Sequence, residues 1–121
     1  MSNPGVSMKA WVLREYGEPV DVLELAEIPV PEPQPHQTLV AVESVGIAFP
    51  DLLRIRGQYQ ITQPLGSPPG SELVGRVVAV GSEGGFEIGT RVIGIAQIGD
   101  GALADFALIP TREACAVSEQ M

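Results

Sequence analysis

Apolar residues recur along this chain in short runs separated by turn-forming residues, which is the pattern of many short strands. Met8-Lys9-Ala10-Trp11-Val12-Leu13 predicts a first strand, and Gly17-Glu18-Pro19 then turns the chain. Val22 to Ile28 predicts a second strand, with Val22 and Ile28 on one face and Leu23 and Leu25 on the other. Pro29, Pro31, Pro33 and Pro35 follow at every second position. Alternating proline removes backbone donors and forbids a central strand, so this stretch is an extended surface connection. Thr38 to Val45 is apolar on both faces, as a buried strand is.

The best helical segment is Pro50-Asp51-Leu52-Leu53-Arg54-Ile55-Arg56-Gly57. Proline suits the first turn, Asp51 complements the positive end, Arg54 and Arg56 the negative end, and Gly57 can stop it. It is so short that packing must hold it. A loop from Gln58 to Gly70 follows, with three prolines. Strands are predicted again at Leu73 to Val80, Arg91 to Ala96 and Leu103 to Ile109, with turns at Gly81 to Gly89 and Gln97 to Gly101. This spacing indicates a small barrel or sandwich. No βαβ alternation is written.

Composition sharpens the picture in three places. The 121 residues are one domain's length, and 45% apolar content supports a core. Fourteen Gly and 11 Pro are scattered between the apolar runs rather than gathered in tracts, so they are turns rather than low complexity. A net charge of −8 without a basic run argues against nucleic-acid and anionic-membrane partners. Residues 1–7 read as a disordered leader, polar and unlike a signal peptide, and a cytoplasmic home is the default expectation.

Candidate chemistry is sparse. Cys115 is the single cysteine, read as a packing residue near the domain edge, and it permits neither an intrachain disulfide nor a cysteine-based zinc site. His36, the single histidine, lies in the proline-rich connection and reads as a surface turn residue. Trp11 belongs to the β surface or core. Val77-Val78-Ala79-Val80-Gly81-Ser82-Glu83-Gly84-Gly85 imitates a strand entering a phosphate loop. The next residues, Phe86 to Val92, turn into another strand instead of the helix whose amides would hold a pyrophosphate.

Five pieces in register carry a family resemblance: Val45-Gly46-Ile47-Ala48-Phe49-Pro50-Asp51, Arg56-Gly57-Gln58-Tyr59, Pro69-Gly70-Ser71-Glu72-Leu73-Val74-Gly75-Arg76-Val77, Gly89-Thr90-Arg91-Val92 and Ala104-Asp105-Phe106. With Met8-Lys9-Ala10 and the Pro29 to Pro33 stretch, the chain resembles the start of medium-chain dehydrogenase/reductases, in their zinc-free quinone oxidoreductase (zeta-crystallin-like) branch. The resemblance implies a mainly β fold, a GroES-like partly open β-barrel with one or two short helices over residues 8–121. It further implies a following Rossmann domain, which this chain lacks, and an active site in the cleft between the two.

Site residues are implied position by position. Zinc alcohol dehydrogenases carry a cysteine where this chain has Ala48 and a histidine where it has Ser71, so no metal site is expected. Many quinone oxidoreductases carry an asparagine at Ala48, and the methyl group here makes a more apolar pocket beside Phe49. By resemblance, Tyr59 reaches the cofactor or a substrate oxygen and is the candidate catalytic residue; its alternative is a loop tyrosine packed over the barrel mouth. Ile47, Ala48, Phe49, Asp51, Tyr59 and Ser71 form the expected substrate and cofactor cleft. Asp51 reads first as a helix-start residue, and Glu72 as either a structural partner of an arginine or a site residue.

The resemblance implies hydride transfer from NADPH, bound mainly by the absent Rossmann domain, to a small-molecule quinone or α,β-unsaturated carbonyl without zinc. It allows a homodimer of the full-length enzyme, and the isolated domain is expected to be inactive. Two other readings stay open: an enoyl-reductase unit of a larger synthase, and a non-catalytic GroES-like binding or assembly module.

Overall fold

Short β-rich runs punctuated by Gly and Pro fold into two antiparallel sheets in a computed structural model that describes residues 6–120. The first sheet is a hairpin of β1 (Ser7–Leu13) and β2 (Leu23–Pro29), joined through α1 (Pro19–Val22). The second contains β3 (Gln37–Gly46), β4 (Glu72–Val80), β5 (Arg91–Ile95), β6 (Phe106–Pro110) and β7 (Ala114–Ala116). Its spatial order is β6-β3-β4-β5-β7, with α2 (Phe49–Arg56) between β3 and β4 and a 3-10 turn, Thr111–Glu113, before β7. The ends of the five-stranded sheet do not pair with each other, so the barrel is partly open.

Two register irregularities in the β3–β4 pairing, between Leu39 and Val40 and between Val42 and Ser44, mark where the sheet bends. Bending encloses a core of Val40, Leu73, Val77, Val92, Ala96, Ala102, Ala107 and Ile109. On the other face, Met8, Leu39, Phe106 and Leu108 pack together with Ile28 and Val30. Neighbouring residues of β3 thus serve opposite cores, which is why that run is apolar on both faces. A third cluster, Leu13, Val22 and Ile55, fastens α1 and α2 to the end of β1.

The predicted strand at Leu103–Ile109 begins later, at Phe106. Leu103 to Asp105 divide their backbone groups between β1 and other segments: Trp11 N–H donates to Leu103 O (2.8 Å) and Asp105 N–H to Lys9 O (3.0 Å), while Leu103 N–H donates to Pro69 O (3.1 Å) and Asp105 O accepts the Val42 N–H (3.0 Å). Ser7 belongs to β1 and pairs with Pro29, which shortens the expected leader; residues 1–5 of it lie outside the described residues. The expected first turn contains a single helical turn, α1, begun by Pro19. After Gly81 the chain turns and re-enters β5 without a helix, so no phosphate loop forms there. No described helix is long and apolar enough to cross a membrane.

Two side chains, Cys115 and Glu72, take places other than those the sequence suggested. Cys115 is exposed on the short β7 rather than packed, because three residues pairing only with β5 leave its side uncovered. Glu72 is exposed and makes no ion pair among the described residues, so the arginine partner that burial would have required is not needed. Arg76 and Arg91 pair with Glu43, and Arg76 also with Glu119, tying the segment after β7 to the sheet. His36 is an exposed turn residue whose carbonyl accepts the Thr111 N–H (2.9 Å). Trp11 lies on the β surface, half exposed.

One buried polar contact joins β3 to the 3-10 turn. The Thr38 hydroxyl is fully buried and hydrogen-bonds the Thr111 hydroxyl at 2.8 Å. Thr111→Val is expected to lower stability by about 1–2 kcal/mol, because it leaves a buried hydroxyl unpaired. Urea unfolding should show a lower midpoint with an unchanged slope. An unchanged midpoint would mean the pair contributes nothing.

Candidate active site

The site is built around the start of α2. Ala48 precedes the helix in extended conformation (φ −117°, ψ 167°), Pro50 sits in the first turn, and Gly57 closes the helix at φ 72°. Ala48 has no side-chain acceptor, so only half of a capping box can form. Asp51 supplies that half: its Oδ2 accepts the Ala48 N–H at 2.9 Å. The sequence placed this carboxylate at a helix start, and the structure agrees.

Asp51 does more than cap. It is only 1% exposed, and its Oδ1 accepts both the Ser71 hydroxyl (3.0 Å) and Arg54 Nη1 (3.3 Å). One buried carboxylate therefore ties Ala48, at the end of the β3–α2 connection, to Ser71, at the entry to β4. Arg54 in turn lies over the Tyr59 ring, with its guanidinium carbon 4.7 Å from the ring centroid. Four of the six expected cleft residues, Ala48, Asp51, Tyr59 and Ser71, are linked in this way. Asp51 joins the others, and Tyr59 is brought in by Arg54, which the sequence marked only as a charge complementing the helix end. Its position three residues after Asp51 was the available signal.

Ile47 and Phe49 flank Ala48 and are exposed, 60% and 67% respectively. Two large apolar side chains beside a buried carboxylate give a surface that is apolar on its rim and polar beneath. Tyr59 is half-buried, and its hydroxyl makes no hydrogen bond among the described residues. The Gln97–Gly101 turn lies close behind: Gln97, Ile98, Gly99 and Gly101 share a cavity of about 10 Å³ with Asp51, Arg54 and Ser71. In that turn, burial pushes the Asp100 carboxyl above its ordinary value.

So small a cavity holds at most about one water, so these residues by themselves enclose no pocket for a larger ligand. A larger concavity, about 720 Å³, opens between the ends of β3, β4 and β5, lined by Val45, Gly46, Glu72, Ile93, Ile95 and Cys115. It includes none of Ala48, Asp51 and Tyr59, and size alone does not make it the reactive centre. Among the described residues no three His, Cys, Asp or Glu side chains gather to hold a metal ion. The residues that are present suit zinc poorly: Ala48 ends in a methyl group, and the Ser71 hydroxyl is engaged by Asp51.

Residues 34–119 match the family model of the alcohol dehydrogenase GroES-like domain. The chain is 36% identical over 94 residues to quinone oxidoreductase-like protein 2 of Mus musculus, covering 77% of this chain and 26% of that protein. It is 43% identical over 77 residues to the chloroplastic NADPH-dependent alkenal/one oxidoreductase of Arabidopsis thaliana, covering 62% of this chain and 20% of that protein. A mycobacterial protein solved in complex with NADPH superposes with a TM-score of 0.82 at 31% identity, over 94% of this chain and 35% of that one. The chain thus spans about a quarter or less of the curated relatives' length.

Proposed function

Because the chain belongs to the alcohol dehydrogenase GroES-like domain family, in the quinone oxidoreductase branch of the medium-chain dehydrogenase/reductases, we propose that it supplies the substrate-side wall of an NADPH-dependent reductase acting on quinones or α,β-unsaturated carbonyls. The observation that carries this reading is the linked set of Ala48, Asp51, Ser71, Arg54 and Tyr59 beneath an apolar rim. Bound to a partner domain, NADPH would supply the hydride. The chain's own residues bind and orient the acceptor: Ile47, Ala48 and Phe49 offer an apolar face for a flat conjugated molecule and exclude water from it.

Tyr59 is the candidate catalytic residue, with its hydroxyl at the substrate's carbonyl oxygen. Hydride addition to an enone carbon moves an electron pair onto that oxygen. The Tyr59 O–H then donates its proton there, and solvent restores the phenol. Zinc takes no part in this reading, because the two positions that would hold it carry a methyl group and a serine. Without the nucleotide-binding half, the chain alone turns nothing over.

The test is to join the chain to the nucleotide-binding domain of a quinone oxidoreductase relative and follow NADPH oxidation with menadione. Turnover is expected from the joined protein, without zinc in a metal analysis, and none from the chain alone. Tyr59→Phe should lower kcat by roughly 100-fold with little change in KM. Stoichiometric zinc, or an undiminished kcat in Tyr59→Phe, would overturn the proposal.

A further inference from the structure

The chain has two tyrosines, and they are held in opposite ways. Tyr16 is held at its tip, where the hydroxyl donates to Gln63 O at 2.8 Å, and its ring lies against Gly57. Tyr59 follows α2 in a segment without regular structure, and no hydrogen bond restrains its hydroxyl among the described residues. What holds it is its face, covered by the Arg54 guanidinium at 4.7 Å. A tyrosine held by its face keeps its hydroxyl available to a ligand; one held by its hydroxyl does not.

Arg54 is itself fixed. Its side chain is 14% exposed, and Asp51 Oδ1, which is buried, accepts its Nη1. Yet Arg54 Nε is buried without an acceptor among the described residues. A lysine could match the charge but not the flat surface that lies along an aromatic ring.

We propose that Arg54 is a positioning residue for the reaction, a cation anchored on Asp51 that locks the Tyr59 ring while leaving its hydroxyl free. This rests on the reading of Tyr59 as proton donor. The same carboxylate also holds Ala48 and Ser71, so the ring is set relative to both ends of the cleft wall.

Solution NMR of the full chain with isotope-labelled tyrosine tests the lock directly. Wild type should show one Tyr59 side-chain rotamer and cross-relaxation between the ring and the Arg54 side chain. In Arg54→Gln the Tyr59 rotamers should average while Tyr16 keeps its own, and Arg54→Lys should fall between. If Arg54→Gln fails to fold, Tyr59→Leu reads the same contact from the other side: the ring-current shift of the Arg54 side chain should vanish with the rest of the spectrum unchanged. In the joined enzyme, Arg54→Gln should lower kcat about tenfold with KM within about twofold, and Arg54→Lys should recover part of it. A Tyr59 that stays fixed in Arg54→Gln, or an Arg54 shift that survives Tyr59→Leu, overturns the positioning role and leaves the donor reading standing. A Tyr59 freed by Arg54→Gln with kcat undiminished likewise overturns the positioning role, while Tyr59→Phe decides the donor reading separately.

Discussion

Asp51→Ala is expected to destabilise the domain by about 3 kcal/mol or more, near the value for breaking a buried ion pair from one side. Three groups lose their acceptor at once: the Ala48 N–H, the Ser71 hydroxyl and the Arg54 guanidinium. The first is a helix-start donor, and the third is a cation with little access to water. For a domain of this size the loss corresponds to a drop in melting temperature of roughly 10 °C. Asp51→Asn keeps a side-chain carbonyl that can still accept one of the three, so its loss should be about half as large. Urea unfolding of wild type and the two variants measures both. Equal stability of Asp51→Ala and wild type would show that water satisfies these groups as well as the carboxylate does.

Gly75→Ala is expected to have an effect at least as large, about 4 kcal/mol, at the upper end for single substitutions. Gly75 is in β4, between β3 and β5 in the sheet. A Cβ there would come within 2.2 Å of Ala41 O and 2.6 Å of Val40 Cγ1. The first obstacle is backbone and cannot swing aside. Moving β4 away would pull Leu73 and Val77 out of the core they share with Val40 and Val92. Gly84→Ala is the control: its φ of 70° is strained for alanine, but nothing lies within 4 Å of the new methyl. It should lose only about 1 kcal/mol. Near-ultraviolet circular dichroism with urea titration separates the two outcomes. A folded Gly75→Ala with near wild-type stability would show that β3 and β4 can separate without loss of the core.

Much of this domain was legible because its decisive signals are local. Pro50, Asp51 and Gly57 act on backbone groups within a few residues of themselves, and α2 starts and stops as they require. The both-sided apolar run at Leu39 and Val40 follows from burial on two faces, and each residue found its own core. The less legible elements are those whose reasons lie far along the chain. β7 has three residues and no pattern of its own; it exists because β5 offers it an edge. Leu103 to Asp105 look like strand, yet their hydrogen bonds are shared among β1, nearly a whole chain away, β3 and the loop at Pro69.

The candidate site divides in the same way. From the residues alone came the methyl group at Ala48, the hydroxyl at Ser71, the helix-start carboxylate at Asp51 and the tyrosine at position 59. These are chemical identities, and a side chain carries its identity wherever the chain goes. That a single carboxylate reaches Ala48, Ser71 and Arg54 together is a matter of tertiary packing, since Asp51 and Ser71 meet only when the long loop folds back to β4. The role of Arg54 was hidden for that reason: its charge was visible along the helix, but the ring it covers is brought over it only by the folded chain. The available chemistry is carried by residue identity, but which groups share one charge follows from the fold, because contacts between distant residues are set by packing and not by pattern.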